Sequence, residues 1–289
     1  MPLRREALPR HDAGAQALIT AAVNPTALPW PTDALAAALG ARRPGLRVEV
    51  WAEADSSNTR LLDRARGGDA APCLLVVEHQ TAGRGRLGRP WFADAPAADG
   101  PPGPATLCVS LGLVLAPTDW SGLSLAVGVA LAEALGPEVT LKWPNDLWLA
   151  DGPGPGRKLG GVLIETLPLA DGGRYAVIGV GLNLAAPAPR PGLEQPVAGW
   201  REIDPKATAD ALLARIAAPL LDAVLAFERG GFAAFAARYA ARDGLAGRTV
   251  QAQGLSGIAE GVDRDGALRL RTAEGAVAVR SGEVSVRPC

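Results

Sequence analysis

Residues 73–93 read CLLVVEHQTAGRGRLGRPWFA, and the fold turns on how that stretch is understood. Its first eight residues, CLLVVEHQ, open on a continuous apolar run (Cys73–Val77) and predict a buried strand over 73–80. It leads into Gly83-Arg84-Gly85-Arg86-Leu87-Gly88-Arg89, which satisfies the spacing GxGxxG. A dinucleotide-binding turn needs a helix to open at its end, so that a pyrophosphate sits on the helix dipole. Here Pro90, Trp91 and Phe92 follow, then a surface loop rich in Pro and Gly over 93–105, and no helix begins. The doubly wound reading therefore fails. What remains is a pliant backbone carrying Arg84, Arg86 and Arg89. Its glycines let main-chain amides approach an anion, and its guanidiniums can fork onto carboxylate or phosphate oxygens. The plain alternative is a solvated basic loop.

Upstream, residues 1–30 are rich in Ala and Pro without periodicity, and a loosely ordered lead-in is expected. A short helix is predicted over Thr32–Ala41, capped by Thr32 or Asp33. LRVEVWAEA (46–54) alternates as a strand does, and DSSNTRLLDRARGG places Ser56 or Ser57 before an amphipathic helix that stops at Gly67 and Gly68. Downstream come a strand over 106–115, a helix over 119–135, a strand pair over 139–150 and apolar strands at 159–167 and 175–184. A Pro-rich connection (185–205) then leads to two helices. After Gly244 the texture changes to short alternating strands, which reads as a small β-barrel or sandwich. The expected architecture is α+β: a mixed β-sheet with helices on one side, then a small β domain.

Three more stretches carry chemistry. Lys142-Trp143-Pro144-Asn145-Asp146 ends a strand in a turn that offers an ammonium, an amide and a carboxylate, a set suited to a phosphate, a Mg²⁺ ion or an amine. Its plain alternative is ordinary turn chemistry. Arg157-Lys158-Leu159-Gly160-Gly161 sets a basic pair before two glycines that permit close approach. Gly179-Val180-Gly181-Leu182-Asn183 ends a buried strand on an amide able to hydrogen-bond a ligand, or simply to end the strand.

Bulk properties exclude several classes. The 29 Lys+Arg nearly cancel the 30 Asp+Glu, so no global field attracts nucleic acid or an anionic membrane. No apolar run spans a bilayer, and MPLRREALPR lacks the apolar core of a secretory signal, so the cytoplasm is expected. Cys73, Cys108 and Cys289 are widely spaced, and with His11 and His79 they form no zinc pattern. Cys73 and Cys108, in apolar strands, read as inert buried thiols.

Taken together, the order DSSN, EHQTAGRGRLGRPW, KWPNDLWL, RKLGGVLIE, IGVGLNL and a β tail resembles the biotin protein ligase family over about residues 46–289. The resemblance implies a catalytic domain of the biotin/lipoate ligase kind with a small C-terminal SH3-like β-barrel. It divides the chain into a lead-in (1–45), the catalytic domain (46–243) and the barrel (244–289). It implies an enzyme that joins biotin and ATP, with Mg²⁺, into biotinyl-5′-adenylate. Biotin then passes to a lysine of a biotin carrier domain, by default that of acetyl-CoA carboxylase. By the same resemblance Ser56, Ser57, Asn58 and Gln80 line the pocket for the biotin head group. Gly83, Arg84, Gly85, Arg86 and Arg89 form a loop that folds over the adenylate, with Arg86 holding the intermediate. Trp91 closes as a lid. Lys158 contacts the carboxylate and the forming anhydride. Asn145 and Asp146 form the polar pair beside the phosphates, with Asp146 orienting or deprotonating the acceptor amine, and Lys142 belongs to the substrate-binding set. Asn145 and Asp146 are the candidates to meet Mg²⁺. Gly160 and Asn183 complete the binding surface, and Trp200 is expected on the adenine side. Family members often pair through the central sheet, which would make a homodimer.

The chain departs from the family at Leu87, where many members carry another basic residue, and in a longer Pro/Gly insertion at 94–104. Little basic character precedes the first core strand, so the form without a DNA-binding domain is expected. The nearest rival is a lipoate ligase or octanoyltransferase of the same fold, which the full GRGRLGR loop disfavours. A nucleic-acid-binding module would need clustered aromatics and a basic excess, against 4% aromatics and a net charge of −1.

Overall fold

The computed structural model describes residues 28–93, 103–150, 152, 156–170, 172–191, 193, 195–280 and 287–288. The lead-in up to residue 27, most of the 94–104 insertion and Cys289 lie outside them.

The stretch 73–80 becomes a strand covered on both faces over its apolar part, Cys73–Val77, and that decides the layering. Its neighbours in the chain are helix α1 (Thr32–Gly40), strand β1 (Arg47–Ala54) and helix α2 (Ser57–Arg66), with the run itself as β2 (Cys73–Gln80). Cys73, Leu75 and Val77 pack beneath Leu61, Leu62 and Ala65 of α2. Leu74 and Val76 point the other way, into the main core. A strand buried on both faces reads as unbroken apolar sequence, whereas a half-exposed one alternates. The expectation of helices on one side is thereby corrected. α2 lies on one face, while α1 and later helices lie on the other.

The sheet continues through β3 (Thr106–Leu115), helix α3 (Leu123–Leu135), the hairpin β4 (Val139–Lys142) and β5 (Asp146–Leu149), then β6 (Arg157–Pro168) and β7 (Arg174–Asn183). Its order is β1-β2-β3-β7-β6-β5-β4. β1 and β2 run parallel across α2, and every other pairing is antiparallel, so the sheet is mixed as expected. α3 is apolar around most of its circumference, which suits a helix enclosed between sheet and helices. Helix α4 (Ala209–Gly230) runs through Pro219, and a short α5 (Ala236–Ala240) follows.

The C-terminal strands are β8 (Thr249–Ala252), β9 (Leu255–Val262), β10 (Leu268–Thr272), β11 (Gly275–Val279) and β12 (Arg287–Pro288). They form one antiparallel sheet in the order β11-β10-β9-β8-β12, and among the described residues no ladder joins β11 to β12. This small sheet shares its core with the larger one: Val250, Ala259, Leu268 and Leu270 join the cluster that contains α3. The indole N–H of Trp143, in the β4–β5 turn, donates to the Gly266 carbonyl at 2.9 Å. The turn that carries Asn145 and Asp146 is thus braced from behind. Among the described residues no helix is long and apolar enough to cross a membrane.

Candidate active site

A cavity of about 610 Å³ opens where β2, the arginine loop, the β4–β5 turn and β6–β7 converge. That size suits a ligand as large as a nucleotide conjugate.

One end is neutral and polar. The parallel register sets Ala54 beside Gln80, so the chain leaving β1 enters α2 directly opposite the end of β2. Ser56 is the N-cap, in extended conformation, and its hydroxyl accepts the Thr59 amide at 3.4 Å. The next residue, Ser57, donates its backbone N–H to Gln80 Oε1 at 2.7 Å, with its hydroxyl 3.0 Å from the same oxygen. Asn58 donates to Glu165 Oε2 at 2.9 Å. All four predicted residues are buried and line one wall.

The arginine loop is a small hairpin of its own. Gly83 accepts from the Trp91 amide at 2.9 Å, and the Gly85 amide donates to Arg89 at 2.7 Å. A Cβ on Gly83 would fall 2.3 Å from the Trp91 carbonyl oxygen, which explains the first glycine. Leu87 turns the chain at a left-handed φ of 59° and is 57% exposed. Trp91 lies across β7, where a Cβ on Gly181 would meet its ring at 2.5 Å. Arg84 and Arg89 are exposed, and Arg86 reaches inward to Asn145 Oδ1 at 3.3 Å. Burial presses the Arg86 pKa below the ordinary arginine value, while the Asp146 carboxylate pulls it back up.

The other end is ionic. Lys158 Nζ lies 2.8 Å from Asp146 Oδ1, and Lys142 Nζ lies 4.0 Å from Asp146 Oδ2. Asp146 pairs with Gly161 across β5–β6, and a Cβ there would stand 3.3 Å from Asp146 Oδ1, so the glycine clears room for the ion pair. Asn145 is tied to β6 by Nδ2 donating to the Val162 carbonyl at 2.9 Å. The Pro-rich connection returns as a strap: the Lys158 amide donates to Pro196, and the Ala198 amide to Lys158. Asn183 holds the strap through Nδ2 donating to the Ala198 carbonyl at 3.1 Å.

Most residues expected from the sequence line this one cavity. Gly83 and Gly160 do not, although both shape it; a Cβ on Gly160 would fall 2.4 Å from the Gly181 carbonyl. Trp200 departs from expectation. It is buried in the main core with the Arg215 guanidinium 5.6 Å from its ring, and it does not line the cavity. The apolar phase of a Trp in an irregular segment carries no sign of which side it will face. Gly161, singled out with Gly160 for close approach, does line the cavity, whereas sequence reasoning missed Phe92, Trp148, Gln195 and Val197 as lining residues. Trp148 could have been found, since it stands two residues beyond Asp146 and so shares its face of the strand. Its ring lies 4.7 Å from Lys142 Nζ. Cys108 also reaches the cavity, but burial pushes its thiol up to about 12, so it is a poor nucleophile near neutrality. Among the described residues no group of three or more His, Cys, Asp or Glu is placed to hold a metal ion.

Comparison with known proteins gives the family. The biotin/lipoate A/B protein ligase family matches residues 51–183, and the biotin protein ligase C-terminal domain matches 247–287. The chain is 34% identical to the bifunctional ligase/repressor BirA of Escherichia coli, over 84% of this chain and 75% of that protein. It is 35% identical to the biotin–[acetyl-CoA-carboxylase] ligase of Mycobacterium tuberculosis, over 85% of this chain and 91% of that one. Among solved structures, the biotin protein ligase of Aquifex aeolicus in complex with biotin and ATP superposes with a TM-score of 0.66 at 25% identity. That match covers 85% of this chain and all of the other. With its motifs gathered in one cavity and relatives matched over most of their length, this chain belongs to the biotin protein ligase family.

Proposed function

We propose that this chain joins biotin to ATP as biotinyl-5′-adenylate and then transfers biotin to a lysine of a biotin carrier domain, by default that of acetyl-CoA carboxylase. One observation carries the reading: a single cavity runs from a neutral wall of hydroxyl and amide groups to a cluster of cations around one carboxylate. A cyclic urea both donates and accepts hydrogen bonds, which suits Ser56, Ser57, Asn58 and Gln80. The biotin carboxylate would then point toward Lys158, Arg86 and Lys142.

In the first step a carboxylate oxygen attacks the α-phosphorus of ATP and pyrophosphate leaves. Bringing two anions together calls for cations already in place. Lys158 and Arg86 serve the reacting groups, while Arg84 and Arg89 close over the phosphates. Mg²⁺ enters with ATP as part of the substrate. Asp146 is the one carboxylate among the described lining residues, and with Asn145 it suits an ion held chiefly by phosphate oxygens. In the second step the acceptor amine attacks the anhydride carbonyl, the bond to the AMP oxygen breaks and AMP departs. Asp146 orients the incoming amine and takes up its proton. Trp91 and the loop exclude water from the anhydride until the carrier arrives.

The proposed division into lead-in, catalytic domain (46–243) and SH3-like barrel (244–289), a cytoplasmic location and pairing of two copies through the central sheet belong to the same reading. The decisive experiment mixes the protein with biotin, Mg·ATP and a carrier domain and reads the carrier by mass spectrometry. Gain of one biotin, with AMP and pyrophosphate formed, is expected. No transfer from biotin, with lipoate or octanoyl donors working instead, would overturn the reading.

A further inference from the structure

Glu165 on β6 and Ser110 on β3 stand behind the polar wall and line no part of the cavity. Both touch Asn58, which does line it. Asn58 Nδ2 donates to Glu165 Oε2 at 2.9 Å and to the Leu163 carbonyl at 3.3 Å. Both partners are acceptors, so this carboxamide cannot turn over. Its Oδ1 faces Ser110 Oγ, 2.6 Å away. An amide oxygen only accepts, so Ser110 gives it its one proton. Ser57 Oγ then faces Ser110 Oγ at 2.7 Å and Gln80 Oε1 at 3.0 Å with a single proton of its own. Gln80 is locked as well, because its Oε1 accepts the Ser57 backbone N–H at 2.7 Å. Two hydroxyl protons therefore serve three oxygen–oxygen contacts. The wall is one proton short.

Gly179 belongs to the same device. A Cβ there would fall 2.3 Å from Asn58 Oδ1, so the glycine lets the carboxamide lie against β7.

We propose that Ser110 and Glu165 are positioning residues that hold this wall in an acceptor polarity, so that the pocket selects a ligand bringing N–H donors to it. The inference rests on the biotin reading of the cavity. Because neither hydroxyl has a proton left to point into the cavity, Ser57 Oγ and Asn58 Oδ1 meet a ligand with lone pairs only; a ureido N–H donates to one of them, whereas a ring CH₂ in its place leaves that oxygen without a partner. Sites built around hydrogen bonds reject ligands that cannot complete them far more sharply than apolar sites reject a missing methylene.

The test is calorimetric binding of biotin and its two lactam analogues, each with a ring CH₂ replacing one ureido N–H. The proteins are the wild type, Glu165→Gln and Glu165→Asp. In the wild type, biotin is expected to bind at least ~30-fold more tightly than the weaker lactam. Glu165→Gln offers Asn58 a donor as well as an acceptor and leaves only the longer contact to the Leu163 carbonyl to hold the carboxamide, so it turns over more readily. The preference is then expected to shrink to about threefold, chiefly through weaker biotin binding. Glu165→Asp keeps the carboxylate and should keep most of the preference. A merely structural role would weaken all three ligands alike, and an unchanged ratio in a folded Glu165→Gln protein, checked by thermal melting, would overturn the proposal. Neutron diffraction from the ligand-free wild type decides the polarity even if Glu165→Gln does not fold or the protein binds no biotin. Asn58 deuterons facing Glu165, with the Ser110 deuteron on Asn58 Oδ1, uphold it, and the reverse orientation overturns it. Absence of biotin binding by the wild type would sink the functional reading separately.

Discussion

The two ends of the cavity are built by opposite rules. At the polar end the four lining residues are buried, and all but the helix cap Ser56 are bonded across elements: Ser57 to Gln80 of β2, Asn58 to Glu165 of β6 and Ser110 of β3. At the ionic end the partners are provisional. Lys158 and Lys142 share Asp146, Arg86 reaches Asn145 at a long 3.3 Å, and Arg84 and Arg89 lie exposed on a short hairpin. A neutral ring is recognised by direction, so its partners must be fixed beforehand. Phosphates attract cations from any direction, so the cations can remain paired with protein groups until the ligand displaces them.

The comparison breaks most visibly at Lys158, the cation proposed to serve both binding and chemistry. Lys158→Ala is expected to lower the rate of pyrophosphate release on the order of 10²–10³-fold, with biotin binding weakened far less. A loss confined to biotin affinity would show that the ionic end binds and does not catalyse. Next comes Gln80→Ala, which strands the buried Ser57 amide; a loss of roughly 1–3 kcal/mol in biotin affinity is expected, measured by calorimetry, with the ATP KM little changed. An equal rise in both KM values would erase the division between the ends. Gly83→Val drives a side chain into the Trp91 carbonyl and should open the hairpin. About a tenfold rise in the KM for both substrates is expected, together with a red-shifted, more solvent-exposed Trp fluorescence. The smallest effect belongs to exposed Arg89: Arg89→Ala should raise the ATP KM only about two- to fivefold, and the difference should fade as salt is raised. A large, salt-independent loss would mean that Arg89 is buried in the closed complex.

Much of this was legible locally. The cap at Ser56, the apolar run 73–77, the Pro-Asn-Asp turn and the glycines of the arginine loop each act within a few residues, and each formed the element its chemistry demands. Other features were not. α2 lies on the face opposite the other helices because the strands beneath it are apolar on both sides, and an unbroken apolar run does not say which helix covers which side. Trp200 turned into the core, and the strap at 196–198 docked on Lys158, because an irregular segment has no period from which to read its phase.

The sequence by itself determined which groups are available and in what local settings: hydroxyls at a helix start, arginines on a glycine hairpin, a carboxylate in a turn. Tertiary structure alone decided their partners. Asn58 meets Glu165 across 107 positions of chain, and Arg86 meets Asn145 across 59. Periodicity and turn chemistry reach only a few residues, so pairings at that range follow from how the sheet orders its strands and registers them against one another.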